Sequence, residues 1–262
     1  MRLPALDPPA APPAAPDARP RAALREKVLL VVALAVYTFV GYFAVGLATD
    51  PAQARSLGTW VDDAIPFVPW TIYLYAWVYT AMLYPAFVVR CRWLFRRVAL
   101  AYAVVATASV ACWVAFPVTS IGIRPDLATI DPGTFHGWGL RVNLALDPPT
   151  NLFPSLHLSV ATLAALCAAK ADRRAGLLAV PIVLGIAVAI CTVKQHFVVD
   201  GVAGVALGAL AYRLVVHPAP TAGRPPEELA HARFGPLSYY AFHASAYAAL
   251  WVAWVLGVPP PG

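Results

Sequence analysis

Apolar residues fill seven stretches of this chain, separated by shorter segments rich in charged residues and proline. An α-helix needs roughly 20 apolar residues to cross the hydrocarbon core of a bilayer. The seven stretches have or approach that length: 28–48, 67–89, 98–117, 154–170, 177–195, 197–216 and 238–258. This pattern predicts an all-α fold, a multi-pass membrane helical bundle of about six to seven transmembrane helices.

The composition agrees with a membrane protein. Of the 262 residues, 60% are hydrophobic and 12% are charged, whereas soluble domains carry about 25% charged residues. The net charge of +6 does not indicate nucleic acid, because the basic residues cluster at the ends of the apolar stretches, where they set membrane orientation. The predicted partner is therefore the bilayer and not nucleic acid, and no oligomeric state is predicted.

The stretches divide the chain into three parts. Residues 1–25 are rich in Pro and Ala and are predicted to form a disordered cytoplasmic tail. Residues 26–216 hold six helices as one membrane core, and residues 217–262 hold a cytoplasmic loop and an extra C-terminal transmembrane helix. The bias toward Ala, Arg and Pro is typical of bacterial genomes of high GC content, so the expected membrane is a bacterial inner membrane.

The distribution of Arg and Lys predicts the orientation. The loops richest in basic residues are 90–97, 170–176 and 217–237, which places them and the N-terminus in the cytoplasm. This topology gathers several ionisable residues from separate segments at the outer face. Ionisable groups at the depth of the membrane cost free energy, so they mark candidate functional sites. The gathered residues are Arg124, His157, His196 and Asp200.

His196 and Asp200 are four residues apart at the start of the sixth stretch. On a helix this spacing places both side chains on one face. A carboxylate there accepts a hydrogen bond from one imidazole nitrogen and leaves the other nitrogen as a nucleophile or base. The alternative is a structural ion pair that ties two helices. Gly204 and Gly208 lie on the same stretch, where small residues let helices approach closely.

The sequence Pro154-Ser155-Leu156-His157 predicts the start of a helix. Proline is tolerated in a first turn, and Ser155 is suited to cap exposed backbone N–H groups. Such a helix N-terminus binds anions, so His157 would lie beside a bound phosphate and protonate a leaving oxygen. The alternative is a capped helix whose histidine only occupies the membrane interface.

Three basic residues are candidate phosphate ligands. Arginine binds phosphate through a planar fork and lysine through a point charge, and the candidates are Arg124, Lys194 and, with less support, Arg141. The alternative is that they are ordinary interfacial cations. The acidic and histidine residues of the loop 118–153 match no metal-ligand spacing, so no metal and no cofactor are predicted. These residues are Asp126, Asp131, His136 and Asp147.

Residues 153–157 and 196–200 resemble motifs of the phosphatidic acid phosphatase type 2 superfamily. Those motifs are Lys-x6-Arg-Pro, Pro-Ser-Gly-His and Ser-Arg-x5-His-x3-Asp, and the resemblance covers about residues 60–215. It implies a core of about six spans with the site at the non-cytoplasmic face. It also implies a role for each matching residue: His196 as the nucleophile that forms a phosphohistidine, Asp200 as its orienting group, His157 as the general acid, Ser155 in the phosphate cradle, and Arg124 as the motif arginine.

The chain departs from these motifs at four positions. Pro117 replaces the lysine, Leu156 replaces the glycine, and Ala189 and Ile190 replace Ser-Arg. Lys194 is the expected substitute cation. The sequences Pro-Ser-Leu-His and Thr-Val-Lys-Gln-His-Phe-Val-Val-Asp-Gly are more similar to the branch related to inositol phosphorylceramide synthases, which transfers a phospho-headgroup to a lipid hydroxyl.

The expected function is that of a membrane lipid phosphatase or phosphotransferase. Its substrate would be a lipid phosphate or phospholipid, cleaved through a phosphohistidine at the outer face. One alternative is a headgroup transferase whose acceptor is a lipid or polyol hydroxyl. Another is a non-catalytic transporter, which is disfavoured because its ionisable groups would be strung across the membrane depth. A serine hydrolase is weaker still, because Ser155 and His157 form no nucleophile elbow.

Overall fold

The computed structural model describes residues 18–219 and 235–260. The described residues form helices and no strands, so the predicted all-α fold is confirmed. The α-helices are α1 (Ala18–Ala48), α2 (Trp60–Ala64), α3 (Ile72–Tyr75), α4 (Val78–Ala81), α5 (Tyr84–Val88), α6 (Arg92–Ala115), α7 (Phe135–Leu146), α8 (Leu156–Ala171), α9 (Arg173–Thr192), α10 (Val198–Ala211) and α11 (Gly235–Val255). Short 3₁₀ helices lie at Pro51–Gln53, Pro69–Thr71 and Leu127–Thr129, and a π-helical turn at Tyr212–Val216 extends α10.

Four of the described helices are long and apolar enough to cross a membrane, which fits an integral membrane protein. The qualifying segments are Leu24–Ala48, Arg92–Ala115, Arg173–Thr192 and Val198–Val216. Helix α8 is also apolar but has only 16 residues. The described part of the chain therefore contains four such spans where the sequence predicted six to seven.

The predicted span 67–89 is not one continuous helix. It is divided into the 3₁₀ helix Pro69–Thr71 and the short helices α3, α4 and α5. Several N–H groups bond to the carbonyl three residues back, as Thr80 does to Trp77 at 3.1 Å, which is the tighter 3₁₀ pattern. Pro85 has no N–H to donate to the preceding turn. These features explain the interruptions.

Helix α11 lies along this interrupted segment in the antiparallel direction. Tyr239 packs near Thr80, and the Tyr247 hydroxyl donates to the Tyr73 carbonyl at 2.5 Å. Tyrosine, serine and histidine lower its apolarity, which explains why this predicted seventh span is not among the four.

Most of the predicted cytoplasmic loop before α11, including Arg224 and Arg233, lies outside the described residues. So do residues 1–17 of the predicted tail; α1 begins within that tail, at Ala18.

Helix α8 lies at the centre of the bundle and packs against α9 and α10. Glycines of α10 face it, as the small-residue spacing indicated. A Cβ at Gly204 would lie 2.5 Å from the Ser155 carbonyl oxygen, and one at Gly208 would lie 2.4 Å from that of Ser159. The absence of side chains at these positions lets the two helices approach backbone to backbone.

The two ends of the bundle differ in character. At one end, Glu26 of α1 pairs with Arg92 and Arg96 of α6, and the Lys170 ammonium donates to the His217 carbonyl at 2.8 Å. At the other end, α6 and α9 finish while α8 and α10 begin. The connection 118–153, predicted as a loop, lies at this second end and contains α7. The residues singled out in the sequence also belong to this end.

The glycine contact predicts a difference between two substitutions to alanine. Gly208→Ala should lower the free energy of unfolding by about 1–3 kcal/mol, because the added methyl group meets the α8 backbone. Gly139→Ala in α7 should not destabilise, since no atom lies within 4 Å of the added Cβ and alanine favours helix. Unfolding in detergent micelles measures both variants, and equal stabilities would contradict the packing described.

Candidate active site

Ser155 begins α8, as the sequence predicted. It is the N-cap residue, and its side chain accepts a hydrogen bond from the Leu158 N–H at 3.5 Å. Its own N–H donates to the Asp200 carbonyl at 3.0 Å. This bond joins the start of α8 to the start of α10 and places His157, in the first turn of α8, beside the residues that precede α10.

His196 lies in the tight turn between α9 and α10. The N–H groups of Gln195 and His196 both donate to the Ile190 carbonyl, at 3.0 and 2.9 Å. Lys194 adopts a φ of 59°, a left-handed conformation that costs a non-glycine residue about 1–3 kcal/mol. The turn directs the His196 side chain inward, where it is 4% exposed.

The His196 ring contacts different partners through its two nitrogens. Nε2 lies 3.0 Å from Nδ1 of His157 and 3.4 Å from Oγ of Ser155. Nδ1 lies 3.5 Å from Oδ2 of Asp200. The ring is therefore held with one nitrogen toward a carboxylate and the other toward the second histidine, which is the orientation that a nucleophilic imidazole requires.

Asp200 is fully buried and also caps α10. Its Oδ2 accepts a hydrogen bond from the Phe197 N–H at 2.9 Å. His196 precedes the helix, so the two residues do not share a helix face as the four-residue spacing predicted; the turn brings them together instead. Among the described residues, His196 Nδ1 and Asp200 Oδ1 have no hydrogen-bond partner. The imidazole and the carboxylate are thus both buried, and each has one polar atom without a partner.

Arg124 reaches this cluster through Gln195. Its guanidinium donates to Gln195 Oε1 at 2.8 Å, to Ser120 Oγ at 2.8 Å and to the Asp147 carbonyl at 2.9 Å. Gln195 is 1% exposed and was not singled out in the sequence analysis. Its position next to His196 could have indicated a role, because an amide is costly to bury unless it has a hydrogen-bond partner.

The side chain of Lys194 bonds to the C-terminal end of α2 and has no hydrogen bond to His196 in the described structure. Its ammonium donates to the carbonyls of Asp62 and Ile65, at 2.9 and 2.5 Å. The Asp62 carboxylate in turn accepts from the Val198 N–H at 2.7 Å. Burial alone would raise the pKa of Asp62, but hydrogen bonds from Val198 and Thr59 outweigh it and hold this pKa below its ordinary value. Lys194 and Asp62 therefore join the C-terminal end of α2 to the turn before α10 and to the first residue of α10.

Arg141 is not part of the cluster. It is half-buried on α7 and has no hydrogen bond to Ser155, His157, His196 or Asp200 in the described structure. Among the described residues, no group of three or more His, Cys, Asp or Glu side chains could hold a metal ion. The structure thus brings four of the predicted site residues into direct contact and adds Arg124 through Gln195.

Behind His157 lies a second polar cluster, which the sequence analysis missed. The Tyr75 ring packs edge-on against the His157 ring, with centroids 5.4 Å apart, and its hydroxyl donates to Asp147 Oδ2 at 3.0 Å. The Tyr42 hydroxyl donates to Asp147 Oδ1. No local pattern links Asp147 to tyrosines 72 and 105 residues away, so the sequence offers it only as one of the loop residues without a metal-ligand spacing.

Comparison with known proteins identifies a family. Searches of curated proteins and of solved structures gave no match. A family model described as the PAP2 superfamily matches residues 54–214, more than half of the chain and the whole of the cluster from Arg124 to Asp200. The chain therefore belongs to the PAP2 superfamily.

Proposed function

We propose that the chain is a membrane lipid phosphatase or phosphotransferase that works through a phosphohistidine at His196. Membership of the PAP2 superfamily supports phosphatase-type chemistry, and the four apolar helices support a substrate drawn from the bilayer. The observation that carries the proposal is the His196 ring, held between Asp200 on Nδ1 and His157 on Nε2.

The reaction would proceed in two steps. In the first, Nε2 of His196 attacks phosphorus while His157 protonates the departing oxygen, so that the P–O bond breaks as the P–N bond forms. Asp200 stabilises the charge that develops on the imidazole ring. In the second step, water or an alcohol attacks phosphorus, His157 takes its proton, and His196 is released.

Fixed dipoles and one guanidinium would stabilise the phosphate charge. The N-terminus of α8 presents backbone N–H groups of its first turn, which contains His157. The Arg124 guanidinium is bonded to Gln195, the residue before His196. An arginine aimed at developing negative charge is a strong stabiliser in a buried site. Because Lys194 is bonded to two carbonyl groups, we assign it a bracing role in place of the predicted phosphate contact.

We further propose that the site faces the non-cytoplasmic side of a bacterial inner membrane. The opposite end of the bundle carries Arg92, Arg96 and Lys170, and basic residues concentrate on the cytoplasmic side. The N-terminus would then be cytoplasmic. A second candidate function, transfer to an alcohol acceptor, is favoured by a cavity that opens beside His157.

Loss of the nucleophile should abolish turnover. His196→Ala should lower the rate of phosphate release by about 10³-fold or more, and an acid-labile, base-stable phosphoprotein should be trapped in the unsubstituted chain but not in the variant. The exposed His217, at the opposite end of the bundle, provides the control, and His217→Ala should behave as the unsubstituted chain. Trapped phosphohistidine in a folded His196→Ala variant would contradict the mechanism.

The general-acid role of His157 predicts a dependence on the leaving group. His157→Ala should slow hydrolysis of an alkyl phosphate by about 10²- to 10⁴-fold. With p-nitrophenyl phosphate the loss should be much smaller, because nitrophenolate departs without protonation. The kcat/KM values for the two substrates measure the difference in the first step alone, because His157 acts again in the second step. Equal losses in kcat/KM would assign His157 to another role.

Arg124 and Lys194 should respond differently to substitution. Arg124→Ala should raise KM by about 10- to 100-fold, which corresponds to the free energy of one hydrogen bond to a charged group. Lys194→Met should instead lower the free energy of unfolding by about 1–3 kcal/mol, because two carbonyl groups lose their donor. Kinetics and thermal unfolding test the pair, and a KM effect of equal size in Lys194→Met would restore Lys194 as a phosphate ligand.

A further inference from the structure

A cavity of about 210 Å³ extends from His157 between α1, α4 and α8. Most of its wall is apolar, and one end is polar. Asp147 and His157 both line that end, and the Tyr75 side chain contacts them both. The apolar wall includes Phe39, Phe43, Met82 and Val160. A ligand that fits this space has an apolar chain and a polar end that reaches the candidate site.

The hydrogen-bond acceptors at the polar end restrict the ligand further. The Asp147 carboxylate accepts one hydrogen bond from the Tyr42 hydroxyl and one from the Tyr75 hydroxyl. A carboxylate offers about four lone-pair positions, so it can accept further hydrogen bonds from a ligand. An ionised carboxylate only accepts hydrogen bonds and repels phosphate. The cavity is therefore suited to a ligand with hydroxyl or amine donors, and the phosphate belongs beside His196, within reach of Arg124 and away from the Asp147 carboxylate.

We propose, on the basis of the function proposed above, that this cavity binds the acceptor of the phosphoryl group. The acceptor is a long-chain alcohol that carries a second hydrogen-bond donor next to its reacting hydroxyl. The second donor bonds to Asp147, and the reacting hydroxyl lies at His157. The requirement for two donors follows from the chemistry, because the single proton of the reacting hydroxyl must pass to His157.

The transfer step balances without any further reactant. The hydroxyl oxygen attacks phosphorus, a P–O bond forms, and the P–N bond to Nε2 of His196 breaks. The hydroxyl proton passes to His157, which gave up its own proton to the leaving oxygen in the first step. Asp147 takes no part in the proton transfer and acts by positioning the acceptor.

Partition of a common intermediate tests this assignment. The purified full chain in lipid nanodiscs is supplied with p-nitrophenyl phosphate and with methanol, 1-octanol or 1,2-octanediol at equal concentration. Nitrophenol reports the first step, while inorganic phosphate and alkyl phosphate report the second. We expect the diol to yield at least tenfold more alkyl phosphate, relative to inorganic phosphate, than methanol does, with octanol between them.

Two variants and one control locate the effect in the cavity. Thr38→Trp places an indole in the cavity wall and should lower the ratio of transfer to hydrolysis for the diol at least tenfold. Val40→Trp adds the same side chain at a position that is 63% exposed on the same helix and should leave that ratio unchanged. Asp147→Asn should remove the preference for the diol over octanol.

The outcomes separate the two proposals. Failure of the unsubstituted chain to release nitrophenol contradicts the phosphohistidine function itself. Release of nitrophenol with the same transfer ratio for all three alcohols overturns the cavity assignment alone, and so does an unchanged ratio in Thr38→Trp. The ratios of the unsubstituted chain decide the matter even where a variant does not fold.

Discussion

Helices α8 and α10 approach so closely that the backbone of one contacts the backbone of the other, and the candidate site depends on that approach. Gly204 and Gly208 leave no side chain between them, and the Ser155 N–H bonds directly to the Asp200 carbonyl. Two helix N-termini therefore lie side by side. His157 enters from one and His196 from the turn before the other, so a shift of either helix would separate the rings.

The candidate site combines one arginine with polar groups that the fold holds in place. The Arg124 guanidinium is bonded to Gln195, the residue next to His196, whereas the Lys194 ammonium donates to two carbonyl groups at the end of α2. The helix N-terminus at Ser155 supplies further donors that need no reorganisation when charge develops. A buried arrangement of this kind strengthens each electrostatic contact, because little water competes with it.

Asp147 connects parts of the molecule that the motifs alone leave separate. Its carbonyl accepts from Arg124, and its carboxylate accepts from Tyr42 and Tyr75. Arg124 and the polar end of the cavity thus share one anchoring residue at the end of α7. This link joins α7, which lies outside the predicted spans, to the cluster around His157.

The sequence by itself determined the all-α class, the helix start at Ser155 and the identity of the clustered residues, because apolar run length, capping and motif spacing are local properties. Local patterns did not reveal the interruptions of 67–89, the helix α7, or the partners of Lys194, Gln195 and Asp147. Those depend on contacts between residues distant in the chain, where burial decides which donor meets which acceptor. Tertiary structure alone therefore bonded the Lys194 side chain to the end of α2 and opened a cavity beside His157.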